Sequence, residues 1–331
     1  MNNRASPITP EIFLADTRDK DFNTKNISNY KLLVDTWNVR KSVSFLGAGT
    51  SSPLGIKDWR DLVCSIQKLV RERYCKEIDI DENDLPLVAE KLFKEFELNN
   101  QGADFDSIVF KNVEPSNNST TVTLIKLAKL LDIHFTTNFD QSLFGAYDFI
   151  KIENIAVKSV TIHAIPDLPS YYQILRGNGA HIIYLHGKKD GPYVFKSRDY
   201  EKFYPSIDCG NYSKCIEDCL KAFLKEVSFL FVGFSFKDVR LKEMIFKVIS
   251  EIKKDILINT EFLGTQVKVY SSEMPRHYLL AHNDEQMYGN VRWDDFYREF
   301  EQYNIYPVIY QKEKHIFLEH LIDHFINKGY L

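Results

Sequence analysis

The chain has 331 residues, with 42 Lys and Arg against 46 Asp and Glu, and a net charge of -4 at pH 7. A hydrophobic fraction of 44% and a charged fraction of 27% are typical of a globular protein and argue against wholesale disorder. The longest apolar run, residues 227–234, is far shorter than the roughly 20 residues that span a bilayer. The start of the chain predicts no signal peptide, and a slightly acidic balance argues against broad nucleic-acid binding. We expect a cytoplasmic protein of one or two domains.

The five cysteines are an odd count without the spacing of a disulfide framework, which predicts a reduced protein. Cys209, Cys215 and Cys219 follow a C-x5-C-x3-C pattern, which lacks the C-x2-C pair of common zinc sites. Cys215 and Cys219 also share the apolar stripe of a predicted helix over residues 213–227. We therefore expect buried structural thiols and no zinc.

Apolar runs predict the strands of a sheet, and apolar residues that recur every three or four positions predict amphipathic helices between them. The predicted strands are, in chain order, Ser42–Leu46, Ile133–Thr136, His181–Leu185, Ser228–Val232, Val267–Tyr270, His277–Ala281 and Tyr306–Tyr310. The predicted helices are Tyr30–Asn38, 59–70, 85–96, Val122–Leu131, 213–227, 241–252, Trp293–Tyr303 and Ile316–Ile326. Such alternation is typical of an α/β, Rossmann-like fold with a mostly parallel sheet and helices on both faces.

Three stretches depart from this alternation. Residues 1–30 are mostly polar, and we interpret them as a loosely ordered N-terminal arm, with at most a short helix, ahead of one domain that covers residues 31–331. Residues 60–131 are too long for a single crossover and predict a helical insertion between the first two strands. Residues 140–180 mix apolar and polar residues without a clear period, so the pattern defines no strand or helix there.

Small or polar residues follow four of the predicted strands at the point where each strand ends. In an open α/β sheet, ligands bind at the carboxyl ends of the strands, so these residues are candidates for one site. The first strand is followed by Gly47, Ala48, Gly49, Thr50 and Ser51, the second by Thr137, Asn138, Phe139 and Asp140, the third by His186 and Gly187, and the fourth by Gly233, Phe234 and Ser235.

Each of these segments has a functional interpretation and a structural one. The Gly-Ala-Gly segment lets backbone N–H groups approach a pyrophosphate, but it also suits a tight turn, and Ser52 stands where a dinucleotide fingerprint has its third glycine. Asn138 offers an amide for ribose hydroxyls or a water molecule, or it is a turn-forming residue. His186 is a candidate general base, or a structural histidine at a strand end.

Taken together and in this order, the four segments resemble motifs of the sirtuin superfamily. They are FLGAGTS at 45–51, TTNFD at 136–140, LHG at 185–187 and VGFS at 232–235, and GIKDWR at 55–60 is similar to the sirtuin Gly-Ile-Pro-Asp-Phe-Arg stretch. The resemblance spans about residues 42–238 and extends weakly to residue 310. Thr137 replaces the usual Gln, and the four-cysteine zinc module of protein-deacylating sirtuins is missing. The sequence at 188–204 is similar to sirtuin-like domains of bacterial anti-phage defence proteins, which hydrolyse NAD.

The resemblance implies that NAD is the substrate and gives each candidate residue a role. It implies that residues 47–51 bind the pyrophosphate, that Gly233 and Ser235 lie near the adenosine half, and that Thr137 lines the NAD site. Asn138 and Asp140 would hold the nicotinamide ribose, with Asn138 orienting the attacking water and His186 accepting a proton. Trp59 either covers the nicotinamide pocket or packs in the core, where it begins an apolar helical stripe. The implied activity is NAD hydrolysis as the toxic effector of abortive infection.

Three other functions remain open from the sequence. A protein deacylase is disfavoured by the missing zinc module, and an NAD or ADP-ribose sensing module by the presence of both Asn138 and His186. A metal hydrolase would have to use His315, His320 and His324, which we expect on a solvated helix face instead. For control of a toxic activity, we expect a homo-oligomer or a separately encoded partner such as a hexameric ATPase or another phage sensor.

Overall fold

The computed structural model describes residues 14–15, 20–115, 119–153, 159–204, 211–261, 274–283, 292–311 and 316–327. Within them, seven strands form one sheet in the order β3-β4-β2-β1-β5-β6-β7, and every pairing is parallel. The strands are β1 Ser42–Leu46, β2 Ile133–Thr136, β3 Val160–Ala164, β4 Ala180–Tyr184, β5 Ser228–Val232, β6 His277–His282 and β7 Ile305–Tyr310. The predicted α/β fold with a mostly parallel sheet is confirmed.

Helices lie between the strands, as parallel connections require. They are α1 Lys20–Thr36, α2 Trp59–Tyr74, α3 Leu85–Leu98, α4 Gly102–Val113, α5 Val122–Leu130, α6 Ser142–Ile152, α7 Tyr171–Arg176, α8 Ser197–Phe203, α9 Asn211–Leu224, α10 Val239–Glu261, α11 Trp293–Glu301 and α12 Ile316–Asn327. One face of the sheet packs against α8 to α11 and the other against α5, α6 and α12. The prediction of helices on both faces is therefore confirmed.

The strand ends lie level with one another in the middle of the sheet. Leu46 at the end of β1 is in register with Thr136 in β2 and with Val232 in β5, and Thr136 is in register with Tyr184 in β4. The loops that follow β1, β2, β4 and β5 therefore leave the sheet at the same height. This register brings the four predicted segments to one place.

The least predictable strand is β3, at the edge of the sheet. Thr161 and Ile162 in its centre are exposed, so β3 lacks the continuous apolar run that marks a strand buried on both faces. It lies within the mixed residues 140–180, which also contain α6. The predicted strand at 267–270 lies outside the described residues.

The predicted helical insertion divides into two parts. Helices α2, α3 and α4 share a hydrophobic core of their own, and Phe195 from the segment after β4 completes it. Helix α5 belongs instead to the layer that covers the sheet, where Leu124 and Leu127 are buried beside α6 and α12. The separate helical module therefore ends at α4, before the predicted boundary at residue 131.

Helix α1 begins at Lys20, so the last eleven positions of the predicted arm form part of a 17-residue helix. Phe22 is fully buried, and two buried asparagines bond to the outer edge of β7. Asn26 Nδ2 donates to the Ile309 carbonyl at 2.8 Å and Asn26 Oδ1 accepts from the Ile309 N–H at 2.8 Å, while Asn29 Nδ2 donates to the Pro307 carbonyl at 2.9 Å. Hydrophobic periodicity does not count such polar contacts, so the sequence pattern missed them.

Replacing Asn26 by alanine is expected to lower the free energy of unfolding by about 2 kcal/mol, because it leaves the buried N–H of Ile309 without its partner and removes one of two hydrogen bonds to the Ile309 carbonyl, the other coming from the Ala15 N–H. Urea denaturation of the variant and of the parent chain measures this difference. Thr24→Ala is the matched control, since Thr24 lies on the same helix, is exposed and bonds only within α1. Equal stability of the two variants would contradict a role for Asn26 in closing the β7 edge.

Candidate active site

The site is built at the point in the sheet where the direction of chain progression reverses. From β1 the chain continues to β2 on one side, and it later returns to place β5 on the other side of β1. Ligands of open α/β sheets bind at such switch points. Here the loops after β1 and β5 are bonded together, because the Gly47 N–H donates to the Val232 carbonyl at 3.1 Å and the Gly49 N–H donates to the Gly233 carbonyl at 3.0 Å.

The glycines of these two loops allow a close backbone approach. A Cβ atom on Gly47 would lie 2.4 Å from the Gly233 carbonyl oxygen, and a Cβ atom on Gly49 would lie 2.9 Å from Gly233 Cα. Gly233 has a φ of +62°, in the left-handed region that favours glycine. Glycine is therefore required at these positions so that the two loops can pack against each other.

This packing restricts which part of the Gly-Ala-Gly segment is available to a ligand. The N–H groups of Gly47, Gly49 and Thr50 donate to backbone carbonyls of the protein itself. Ala48 is half-buried and Gly49 is exposed, so the turn at these two residues is the accessible surface of the segment. Thr50 and Ser51 are buried behind it.

Asn138 ties the loop after β2 to the loop after β1. Its Nδ2 lies 3.1 Å from the Gly47 carbonyl oxygen, 3.2 Å from Ser51 Oγ and 3.4 Å from Thr50 Oγ1, and its backbone N–H donates to Thr136 Oγ1. These contacts fix the orientation of the amide, with Nδ2 toward the Gly-Ala-Gly segment. The side chain is half-buried at the centre of the strand ends.

Asp140 lies deeper than Asn138, in a buried polar cluster. One carboxylate oxygen accepts from the Ser142 N–H at 2.9 Å and from the Ser142 hydroxyl, which in turn lies 3.0 Å from Ser51 Oγ. Burial raises the pKa of Asp140, and the hydrogen bonds from Ser142 partly offset this effect. Thr137 is half-buried, and its N–H donates to the Leu46 carbonyl at 3.2 Å.

His186 is buried and faces a carboxylate. Its Nε2 lies 3.3 Å from Asp238 Oδ2, and the same oxygen accepts a hydrogen bond from the Tyr200 hydroxyl at 2.7 Å. The Nε2–Oδ2 contact is close but is not a well-aligned hydrogen bond. The following Gly187 has a φ of +77°, and a Cβ atom there would lie 2.0 Å from the Pro192 carbonyl oxygen.

Trp59 packs in the core and also lies beside His186. Its ring stacks on Tyr200 at 5.6 Å between centroids and lies edge-on to His186 at 6.3 Å. The side chain is partly buried and packs against the sheet core and the core of the helical module. Its indole N–H is buried and has no acceptor among the residues that the structure describes. Trp59 therefore packs as a core residue and also borders the site.

Ser235 is half-buried after β5, and its Oγ accepts from the Lys237 N–H at 3.4 Å.

Two cavities flank the aromatic residues beside His186. A cleft of about 550 Å³ lies between α4 and residues 189–193, and a smaller cavity of about 160 Å³ is lined by residues that include Phe139, Tyr184 and Lys188. Phe139 lies 6.4 Å from the ring of His186, so the smaller cavity is one side chain away from it.

Sequence reasoning assigned no role to Asp238 or Tyr200. Asp238 follows Ser235 by three residues and caps α10 by accepting the Leu241 N–H at 3.0 Å. Its position before a helix predicts a capping residue, but it does not predict a contact with His186. Contact between these groups depends on the sheet order, which places only β2 and β1 between β4 and β5.

No group of three metal-ligating side chains occurs within the described ranges. Cys209 and His315 lie outside the described residues, so the expected lack of zinc stays a prediction. Cys219 is buried, and burial raises the pKa of its thiol.

The face of α12 that carries His320 and His324 is not solvated as expected. Both histidines are half-buried, and Lys126 of α5 reaches Asp323 of this helix at 2.7 Å. None of the helices that the structure describes is long and apolar enough to cross a membrane.

The geometry defines an α/β protein whose candidate ligand site lies at the switch point of a parallel sheet. The sequence model of the SIR2-like domain family matches residues 132–308, which is more than half of the chain. The chain therefore belongs to the SIR2-like family. Members of this family act on NAD, so an NAD-related activity is indicated. No curated protein sequence matches the chain.

Solved sirtuin structures are similar to most of the chain at low identity. The structure of Sir2Tm bound to a propionylated peptide is 13% identical, covers 92% of this chain and 98% of that chain, and has a TM-score of 0.35. A structure described as the structural basis of sirtuin substrate affinity is 12% identical, covers 92% and 99%, and has a TM-score of 0.36. Sir2 bound to acetylated peptide is 12% identical, covers 92% and 98%, and has a TM-score of 0.35.

Proposed function

We propose that this chain hydrolyses NAD to nicotinamide and ADP-ribose. The observation that carries the proposal is the convergence of four strand ends, which brings the loops of Gly47 and Gly233 together with Asn138 and places buried His186 at the same edge. A site with a fixed amide and a histidine suits attack by water on a sugar carbon. Membership of the SIR2-like family supports NAD as the substrate.

The reaction breaks the bond between C1′ of the nicotinamide ribose and the nicotinamide nitrogen. The electron pair of that bond neutralises the positively charged nitrogen, so the leaving group needs little acid help. Water adds to C1′ with Asn138 orienting it, and the proton that water loses passes to His186. The general base alone accelerates such a step by about 10² to 10⁴-fold, and positioning of the water adds to this effect.

The residues at the strand ends fit the parts of NAD. We assign the pyrophosphate to the accessible turn at Ala48 and Gly49, with Gly47, Thr50 and Ser51 shaping it from behind. The adenosine half lies toward Gly233 and Ser235, across the switch point. The nicotinamide ribose lies toward Asn138, with Thr137 and Asp140 supporting that loop, and Trp59 borders the nicotinamide.

We further propose that this activity is the toxic effector of bacterial anti-phage defence, in which NAD depletion aborts infection. The similarity of residues 188–204 to sirtuin-like defence domains supports this role. A constitutive NAD hydrolase would poison its own cell, so the activity requires control. We propose control by homo-oligomer formation or by a separately encoded partner, such as a hexameric ATPase or another phage sensor.

The test is to incubate the purified chain with NAD and to follow nicotinamide and ADP-ribose by chromatography. We expect both products in equal amounts, and about a 100-fold lower rate in Asn138→Ala. Asn112→Ala is the matched control, because Asn112 is a half-buried asparagine of α4 that accepts from Lys57. NAD-dependent turnover of an acetyl-lysine peptide would favour a deacylase, and saturable NAD binding without nicotinamide release would favour a sensing module.

A further inference from the structure

We propose that Asp238, held by Tyr200, is a positioning residue that fixes which nitrogen of His186 accepts the proton. This inference rests on the proposed function, because it assigns the orientation of the base in that reaction. Its basis is a buried chain of three side chains, in which the Tyr200 hydroxyl donates to Asp238 Oδ2 at 2.7 Å and His186 Nε2 lies 3.3 Å from the same oxygen.

The capping role of Asp238 does not explain this arrangement. Asp238 Oδ1 accepts the Leu241 N–H at 3.0 Å, and a helix N-cap needs only that one oxygen. The second oxygen, Oδ2, faces away from this hydrogen bond toward His186 and Tyr200. The side chains of His186 and Asp238 are 6% and 8% exposed, so their attraction is little screened by solvent.

Asp238 is ionised at neutral pH. Burial opposes ionisation, but the contact with His186 and the hydrogen bonds from Leu241 and Tyr200 outweigh it and lower the pKa of Asp238. The other titratable groups nearby are Tyr200 and Tyr204, whose pKa values burial raises well above the usual range, so both hydroxyls stay protonated. The guanidinium of Arg240 lies over the ring of Tyr200 at 5.4 Å.

An ionised carboxylate only accepts hydrogen bonds, so the nitrogen that faces it must carry the proton. Neutral His186 is therefore protonated on Nε2, and Nδ1 keeps the lone pair. In the proposed reaction, the proton from the attacking water passes to Nδ1, and Asp238 stabilises the resulting imidazolium. The same logic governs the carboxylate of a Ser-His-Asp triad. Asp238 does not itself take the proton.

The decisive variant is Asp238→Asn, which keeps the shape of the side chain and replaces an acceptor oxygen by a donor. An asparagine that donates to Nε2 forces the proton onto Nδ1 and removes the base. We expect kcat for NAD cleavage to fall about 100-fold or more, with KM changed less than about threefold. Tyr200→Phe keeps the carboxylate and removes one hydrogen bond, so we expect a smaller loss of about three- to tenfold.

The tautomer is read directly from the ¹⁵N chemical shifts of the labelled histidine rings, without NAD. We expect Nε2–H for His186 in the parent chain and Nδ1–H in Asp238→Asn. Asp84→Asn is the matched control, because Asp84 caps α3 through the Leu87 N–H and lies in the helical module. It should leave both the ¹⁵N shifts and kcat unchanged. Near-ultraviolet circular dichroism checks that each variant is folded, and Asp238→Glu, which restores the carboxylate, should regain part of the rate.

The two readouts separate this inference from the proposed function. An unchanged His186 tautomer in folded Asp238→Asn, or an unchanged kcat, would overturn the positioning role. A changed tautomer in a chain that does not release nicotinamide from NAD would support the positioning role and count against the proposed reaction.

Discussion

His186→Ala is expected to lower kcat for NAD cleavage by about 10² to 10⁴-fold, because the water that attacks the ribose then has no base to accept its proton. KM should change little, since the proposed contacts to the pyrophosphate and the adenosine half come from the β1 and β5 loops. Initial rates of nicotinamide release over a range of NAD concentrations measure both constants. The expected loss exceeds that of Tyr200→Phe, in which the base is still present.

The matched control for this variant is His163→Ala. His163 is a partly buried histidine on β3, where it lies 3.1 Å from a ring nitrogen of His181, and it is not part of the proposed site. We expect this variant to keep the parent kcat. Full activity in His186→Ala, with a thermal transition like that of the parent chain, would exclude His186 as the base.

Gly233→Ala is expected to lower the free energy of unfolding by about 3 kcal/mol or more, because it adds backbone strain to a steric clash. The φ of Gly233 is +62°, and a Cβ atom there would lie 2.6 Å from the Thr50 backbone nitrogen. To relieve the clash, the β5 loop must move away from the β1 loop and break the hydrogen bond from the Gly49 N–H. We therefore expect NAD binding to weaken together with stability, as urea denaturation and calorimetric titration would measure.

Gly55→Ala separates strain from close approach. Gly55 has a φ of +74°, but a Cβ atom there meets nothing within 4 Å. Strain alone should cost about 1 to 2 kcal/mol and leave NAD binding intact. If Gly233→Ala costs no more than Gly55→Ala, the two loops are not held together as the geometry indicates.

The strands that the sequence predicted best are the buried ones. The bounds of β1, β2 and β5 agree with the prediction, because all three lie inside the sheet and almost all of their residues are buried. Strand β3 was missed because it is an exposed edge strand. The early start of α1 was missed because two buried asparagines carry part of its contact with β7.

The site shows a similar division. Residues that follow strands were predictable, because the carboxyl ends of parallel strands meet at one edge whatever their order. The contact between His186 and Asp238 was not predictable, because it depends on which strand lies beside which and on the direction in which α10 leaves β5. The role of Gly47, Gly49 and Gly233 was predicted incompletely, because these glycines allow the loops after β1 and β5 to pack against each other.

The hydrogen bonds between the loops after β1 and β5 also affect the thermodynamics of ligand binding. Because each loop is ordered by the other, the chain loses this backbone entropy when it folds, and a ligand need not order these loops again. The β1 and β5 sides of the site and the central sheet should then melt as one cooperative unit, without a separate local opening at lower temperature. Hydrogen exchange at Gly49 should therefore be as slow as in the central strands.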